Sequence, residues 1–230
     1  MIDFSKFEKK ADIVFKDRGL LEQAFTHRSY INENKNAKKG HNERLEFLGD
    51  AVLELIVTDF LYHKYTTGTE GDLTSYRAAL VNAITLSKVA VGLSMNDYLL
   101  LSKGEAKDTG RARQFILANT MEAVIGAIYL DQGYQIAKAF LKKHLFPLID
   151  DVVAKKLWMD AKSHFQEKAQ DKTGQTPNYK TLKEVGPDHD KCFTVGVFIG
   201  SEQVGVGEGL SKQEAEQVAA ADALEKRGWR

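Results

Sequence analysis

The sequence contains a single cysteine, Cys192, among 230 residues. That excludes an intrachain disulfide and a cysteine-built metal cage, and within its strand-like run Cys192 is expected to be a small buried side chain. Prolines number only three, and no repeat or low-complexity tract stands out, so the composition is that of an ordinary globular protein rather than a disordered or fibrous one. No uninterrupted apolar run approaches the roughly 20 residues that span a bilayer, and the first helix-like segment opens without a basic leader. A cytoplasmic location is the expectation that follows. Net charge is also lacking, because 32 Lys and Arg balance 32 Asp and Glu. From Asp160 onward 10 basic and 12 acidic residues give −2, leaving +2 (22 minus 20) before it. Any surface that attracts nucleic acid must therefore be local.

What the sequence does have is enough apolar content, 43%, for one large or two modest cores. The first 150 residues read as successive helices: 20–30, a long one over 41–65, one from the turn at 66–73 to residue 91, one over 116–130, and a pair in 134–158 broken at Pro147. Residues 32–40 read as a loop, and 99–115 as a basic loop or broken helix. Beyond residue 160 the pattern changes to helix, three strands, helix. Phe193, Val195, Val197 and Ile199 alternate onto one strand face, and Ser211 with Glu214 forms a capping-box signature for the last helix.

The stretch 41–56, HNERLEFLGDAVLELI, has the most pointed chemistry. At 100° per residue Glu43, Glu46 and Asp50 fall within about 60° of one another, on a strip roughly 10 Å long. Leu45, Leu48, Val52, Leu55 and Ile56 form the apolar side. Two readings fit: a solvated acidic face, or a site for a hard divalent cation such as Mg²⁺ or Mn²⁺. Within the turn only Arg44 offsets the acids, and stacked like charges favour the second reading. A later helix carries Asn119 and Glu122 at i, i+3, opposite Met121, Val124, Ile125 and Ile128. In a helical bundle the two polar faces could meet around one ion.

HNERLEFLGDAVLEL resembles the signature helix of the ribonuclease III family. THRSY, EGDLTSYRAALV, LLLSKGE and MEAVIGAIYLD agree with it, while KSHFQE, GPDHDKCF and GVGEGLSKQEAEQVAAADAL are similar to a double-stranded-RNA-binding domain. The resemblance implies an all-α endonuclease domain (1–152), a linker (153–159) and an α-β-β-β-α domain (160–229). It further implies a homodimeric, Mg²⁺-dependent enzyme with no organic cofactor. Such an enzyme cuts both strands of double-stranded RNA to 5′-phosphate and 3′-hydroxyl ends, in processing ribosomal RNA precursors and messengers. By position, Glu43, Glu46, Asp50, Asn119 and Glu122 become the metal set, with Asp50 and Glu122 catalytic, and Phe47 a dimer-interface residue. Glu70 corresponds to a further acid near the cleavage valley. Gln166 and His189 become minor-groove contacts and Lys212 a phosphate contact. Arg77, Lys103, Arg111 and Arg113 are expected on phosphates as well, whereas His27 and His41 suit capping or structural roles better than catalysis. Two positions depart from the family pattern. Asn119 stands where an Asp is usual, and Lys212-Gln213 where a basic pair is usual. Asn119 supports an alternative, a catalytically weak or inactive RNA-binding protein on the same scaffold.

Overall fold

The computed structural model describes residues 2–34, 40–107, 109–154, 161–186 and 191–229. The chain divides into two compact units, 1–158 and 159–230. Of the expected linker, residues 155–159 lie outside the described residues, as do His189 and most of the turn that carries it.

The first unit is helical: α1 Ser5–Ala11, α2 Arg18–Ala24, α3 Arg28–Glu33, α4 Glu43–Lys64, α5 Glu70–Val81, α6 Ala83–Gly92, α7 Lys103–Lys107, α8 Arg111–Gln132, α9 Tyr134–His144 and α10 Leu148–Ala154. At its centre α4 and α8, 22 residues each, pack directly against one another. The expected apolar positions of α8, Met121, Val124, Ile125 and Ile128, are all fully buried. Apolar residues surround much of α8, the pattern of a core helix rather than a surface one. On α4, Leu45, Val52 and Ile56 are buried as expected, but Leu55 is 59% exposed and the buried set turns toward Gly49, Leu53, Val57 and Leu61.

Helix boundaries differ from the sequence reading where polar side chains cap new starts. Residues 20–30 form two helices because His27 N donates to Leu100 O (3.0 Å) and Leu100 N to Phe25 O (2.9 Å). The His27 ring then accepts from Ser29 N and starts α3. Likewise the helix expected to reach residue 91 breaks at Asn82, whose Oδ1 accepts from Thr85 N at 2.8 Å. Such a cap satisfies an otherwise orphaned helical N–H. The basic stretch 99–115 resolves into α7 and the first turn of α8, which begins at Arg111 rather than at residue 116.

In the second unit α11 (Ala161–Thr173) is followed by β1 (Asn178–Val185), β2 (Cys192–Ile199), β3 (Glu202–Gly209) and α12 (Lys212–Lys226). The strands form an antiparallel sheet in the order β1-β2-β3. Phe165 and Ala169 of α11 join Val197, Ile199, Ala219 and Ala223 in the core. Space is tight at β3: a Cβ on Gly207 would lie 2.2 Å from Ala219 N, and one on Gly205 2.5 Å from Ala219 O. Glycines on the strand and alanines on the helix thus let α12 lie almost on the backbone of the sheet. Ser211 Oγ caps α12 by accepting from Glu214 N (3.2 Å), while the Glu214 carboxylate accepts from Leu210 N rather than from the cap residue itself. Cys192 is half-buried, not fully enclosed, because it stands at the first position of its strand.

Candidate active site

The acids come together through a feature with no charge at all. Where α4 crosses α8, a Cβ on Gly49 would lie 1.8 Å from the Glu122 carbonyl oxygen, and one on Gly126 2.3 Å from the Leu45 carbonyl oxygen. The two backbones touch at a glycine pair, one residue from Asp50 and three from Glu46. An isolated glycine inside a helix costs about 1 kcal/mol relative to alanine. Gly49 in LEFLGDAV and Gly126 in AVIGAIY were therefore signals of close helix contact that the charge-based sequence reading did not use.

Electrostatics follow from this closeness. Glu122 is half-buried, and this burial, together with the carboxylates of Asp50 and Glu46, pushes its pKa up to about 7. Glu46 is raised by burial and then by Glu43 and Asp50. Asp50 itself is exposed. Glu46, Asp50 and Glu122 thus form an inner group of mutually repelling carboxylates. Glu43 sits at its margin: Oε1 is 3.5 Å from Arg28 Nη1, and Oε2 is 3.6 Å from His41 Nδ1, a buried nitrogen with no hydrogen bond among the described residues. Charge compensation therefore reaches Glu43 from α3, beyond the Arg44 visible within the turn. Asn119 is partly buried one turn before Glu122 on α8. As donors these groups suit a hard divalent cation in kind, being all oxygen, and in charge, because the carboxylates repel one another without a cation. Among the described residues no three His, Cys, Asp or Glu side chains already converge on one point as a metal cage would.

Glu70, at the start of α5, lies in a cleft of about 460 Å³ with Thr58, Leu61, Tyr62 and Arg77, and none of the four acids lines it.

The expected phosphate contacts divide into two kinds. Arg77 is held by Glu54 (Nε to Oε2, 2.9 Å) and donates to Thr58 Oγ1 at 3.0 Å. Arg113 donates to Asn96 Oδ1 (2.9 Å) and Glu105 O (2.7 Å), fastening α7 to α8. Both guanidinium groups thus have partners inside the unit, although Arg113 Nε is buried without a hydrogen bond among the described residues. Lys103 and Arg111 are exposed, the latter over the Phe115 ring at 5.9 Å. In the second unit Gln166 is exposed on α11 and Lys212 on the first turn of α12. Phe47 is 81% exposed, on the solvent side of α4.

Residues 17–149 match the family described as Ribonuclease-III-like, and residues 161–227 match the double-stranded RNA binding motif. Ribonuclease 3 of Bacillus licheniformis is 48% identical over 223 residues, covering 97% of this chain and 89% of that protein. Ribonuclease 3 of Protochlamydia amoebophila is 47% identical over 219 residues, covering 95% and 90%. Among solved structures, the nuclease domain of ribonuclease III from Campylobacter jejuni superimposes with a TM-score of 0.58 at 41% identity. It covers 63% of this chain and 97% of its own. With an all-helical unit that joins its acids across a glycine contact, and a second unit built as an RNA-binding module, this chain belongs to the ribonuclease III family of endoribonucleases.

Proposed function

We propose that the protein hydrolyses phosphodiester bonds in both strands of double-stranded RNA, with Mg²⁺ or Mn²⁺, leaving 5′-phosphate and 3′-hydroxyl ends. The observation that carries this reading is the crowding of Glu46, Asp50 and Glu122 at the α4–α8 crossing, in a chain that also has the RNA binding motif. Glu46, Asp50 and Glu122 would hold the ion, with the Asn119 side-chain oxygen beside them and Glu43 orienting the edge of the site. A bound divalent ion supplies Lewis acidity, which makes water nucleophilic near neutral pH and offsets charge on the phosphate. No side-chain nucleophile is needed.

The remaining roles belong to substrate binding. Lys103 and Arg111 neutralise phosphates near the cut, and Gln166 and Lys212 contact the A-form duplex through a minor groove and the intervening phosphates. Arg77 and Arg113 act through the elements they fasten. The exposed Phe47, Leu55 and Tyr62 of α4 give a second copy an apolar face to cover, so the working form is a homodimer. No described helix is long and apolar enough to cross a membrane, which accords with processing of ribosomal RNA precursors and messengers in the cytoplasm.

Incubating a long RNA duplex with Mg²⁺ and resolving the products on a gel tests this reading. Wild type should cut, Glu122→Ala should lose at least about a hundredfold in rate, and Asn119→Asp should lower the Mg²⁺ concentration at half-maximal rate. Unchanged cutting by Glu122→Ala removes that residue from the site. An intact duplex with wild type, cut once Asn119 is replaced by Asp, favours the inactive RNA-binding alternative that Asn119 suggests.

A further inference from the structure

Lys212, the one cation left where the family has a basic pair, is already occupied. Its Nζ lies 3.0 Å from Glu184 Oε1. Lys191 Nζ stands 4.0 Å from the other oxygen of the same carboxylate. Glu184 is the cross-strand partner of Phe193, and the Lys212 ammonium is also 5.5 Å from the centre of the Phe193 ring. One β1–β2 residue pair therefore provides Lys212 with both a carboxylate and an aromatic face. The pairing joins the end of β1 to the first turn of α12, and the Lys212 and Glu184 side chains are exposed while Lys191 is half-buried.

We infer that Glu184 is an affinity-setting residue of the RNA-binding unit, an intramolecular anion that competes with RNA phosphate for Lys212. This inference rests on the proposed role of Lys212 as a phosphate contact. A phosphate arriving at Lys212 must either displace the Glu184 carboxylate or approach it as a like charge. Either route subtracts from the electrostatic part of binding, which grows with each cation neutralised and each counterion released. The exposed pair is worth little by itself, so RNA can break it, and the net effect is a restraint on affinity rather than a block. With a single lysine in place of the usual pair, the restraint acts on a large share of the charge available at this point. Unusually for a residue on an RNA-binding face, removing the side-chain charge should strengthen binding.

Fluorescence anisotropy of the full-length protein with a labelled RNA duplex, in EDTA so that nothing is cut, and across a KCl series, tests this. Glu184→Gln should tighten binding by about two- to fivefold, the range expected for loss of one exposed ion pair. It should also make the slope of log K against log salt steeper by nearly one. Lys212→Ala should weaken binding, and in that background Glu184→Gln should gain much less. If Lys212→Ala weakens binding while Glu184→Gln leaves affinity and slope unchanged or lowers them, the inference about Glu184 is overturned and the role of Lys212 stands. If Lys212→Ala changes nothing, the phosphate role itself falls, and the inference with it. Glu184→Ala, checked by thermal melting alongside Glu184→Gln, separates loss of charge from loss of packing.

Discussion

Glu122 concentrates the conflict between folding and function into one carboxyl group. An unfolded glutamate titrates near about 4.3, whereas burial and the neighbouring Asp50 and Glu46 carboxylates raise Glu122 in the fold to about 7. Between these values the folded state holds more protons than the unfolded one, so stability falls as pH rises through that window and the penalty is complete above it. In metal-free protein, Glu122→Gln should therefore raise stability at pH 8 by about 1–2 kcal/mol after solvent screening is allowed for, and change it little at pH 4. Urea unfolding in EDTA at the two pH values measures the difference; equal stabilisation at both would mean packing, not ionisation, is responsible. The basic residues show the converse. Arg77 and Arg113 look like phosphate contacts in the sequence, but the fold commits their guanidinium groups to Glu54, Thr58, Asn96 and the Glu105 carbonyl. Sequence reports a charge, whereas only the three-dimensional arrangement reports whether that charge has a partner.

At the scale of elements, the α4–α8 crossing places the acids. Helices with side chains at the contact pack about 8–10 Å apart, and glycine at both Gly49 and Gly126 permits a closer approach. Gly49→Ala would put a methyl group 1.8 Å from a backbone oxygen, which no side-chain rotation relieves. The helices must separate, at a cost of about 3 kcal/mol or more. Because Glu122 contributes that oxygen, the shift should also carry it away from Asp50 and abolish cleavage. Thermal unfolding and duplex cleavage of the same preparation test both effects; a variant as stable and active as wild type would show that the crossing tolerates a methyl. Gly207 plays the matching part between β3 and the middle of α12, and Gly209, where a Cβ would lie 2.7 Å from Ala215 N, does so at the Lys212 end.

The whole molecule consists of two independently packed units with separate cores, and its working form is proposed to be a pair of such chains. Among the described residues Phe47 is the largest apolar side chain left almost fully exposed, at 81%, and it projects from the helix that carries Glu46 and Asp50. If a second copy covers it, Phe47→Ala should weaken the dimer by about 2–4 kcal/mol, the range of an aromatic anchor at an interface centre. It should leave the fold of each chain intact. Sedimentation as a function of concentration reads this directly. A Phe47→Ala protein with unaltered dimerisation would place the interface elsewhere.

The division into a helical and an α-β-β-β-α part, the order of elements in the second unit, and the common face of Glu43, Glu46 and Asp50 could be read from the letters, whereas the splits at His27 and Asn82 and the short α7 could not. Each legible feature depends on local periodicity, which one segment carries alone. A capping role for His27 was legible and is observed, whereas the cap at Asn82 was not, because a cap acts only once the chain around it has turned. Three matters needed the assembled fold. The glycine contact that brings Glu122 to Asp50 joins residues far apart in the chain, and the engagement of Arg77 and Arg113 with internal partners is a pairing no spacing rule contains. The hold of Glu184 on Lys212 crosses from β1 to α12. All three are distances between segments, and a distance between segments exists only after burial of the two cores has set it.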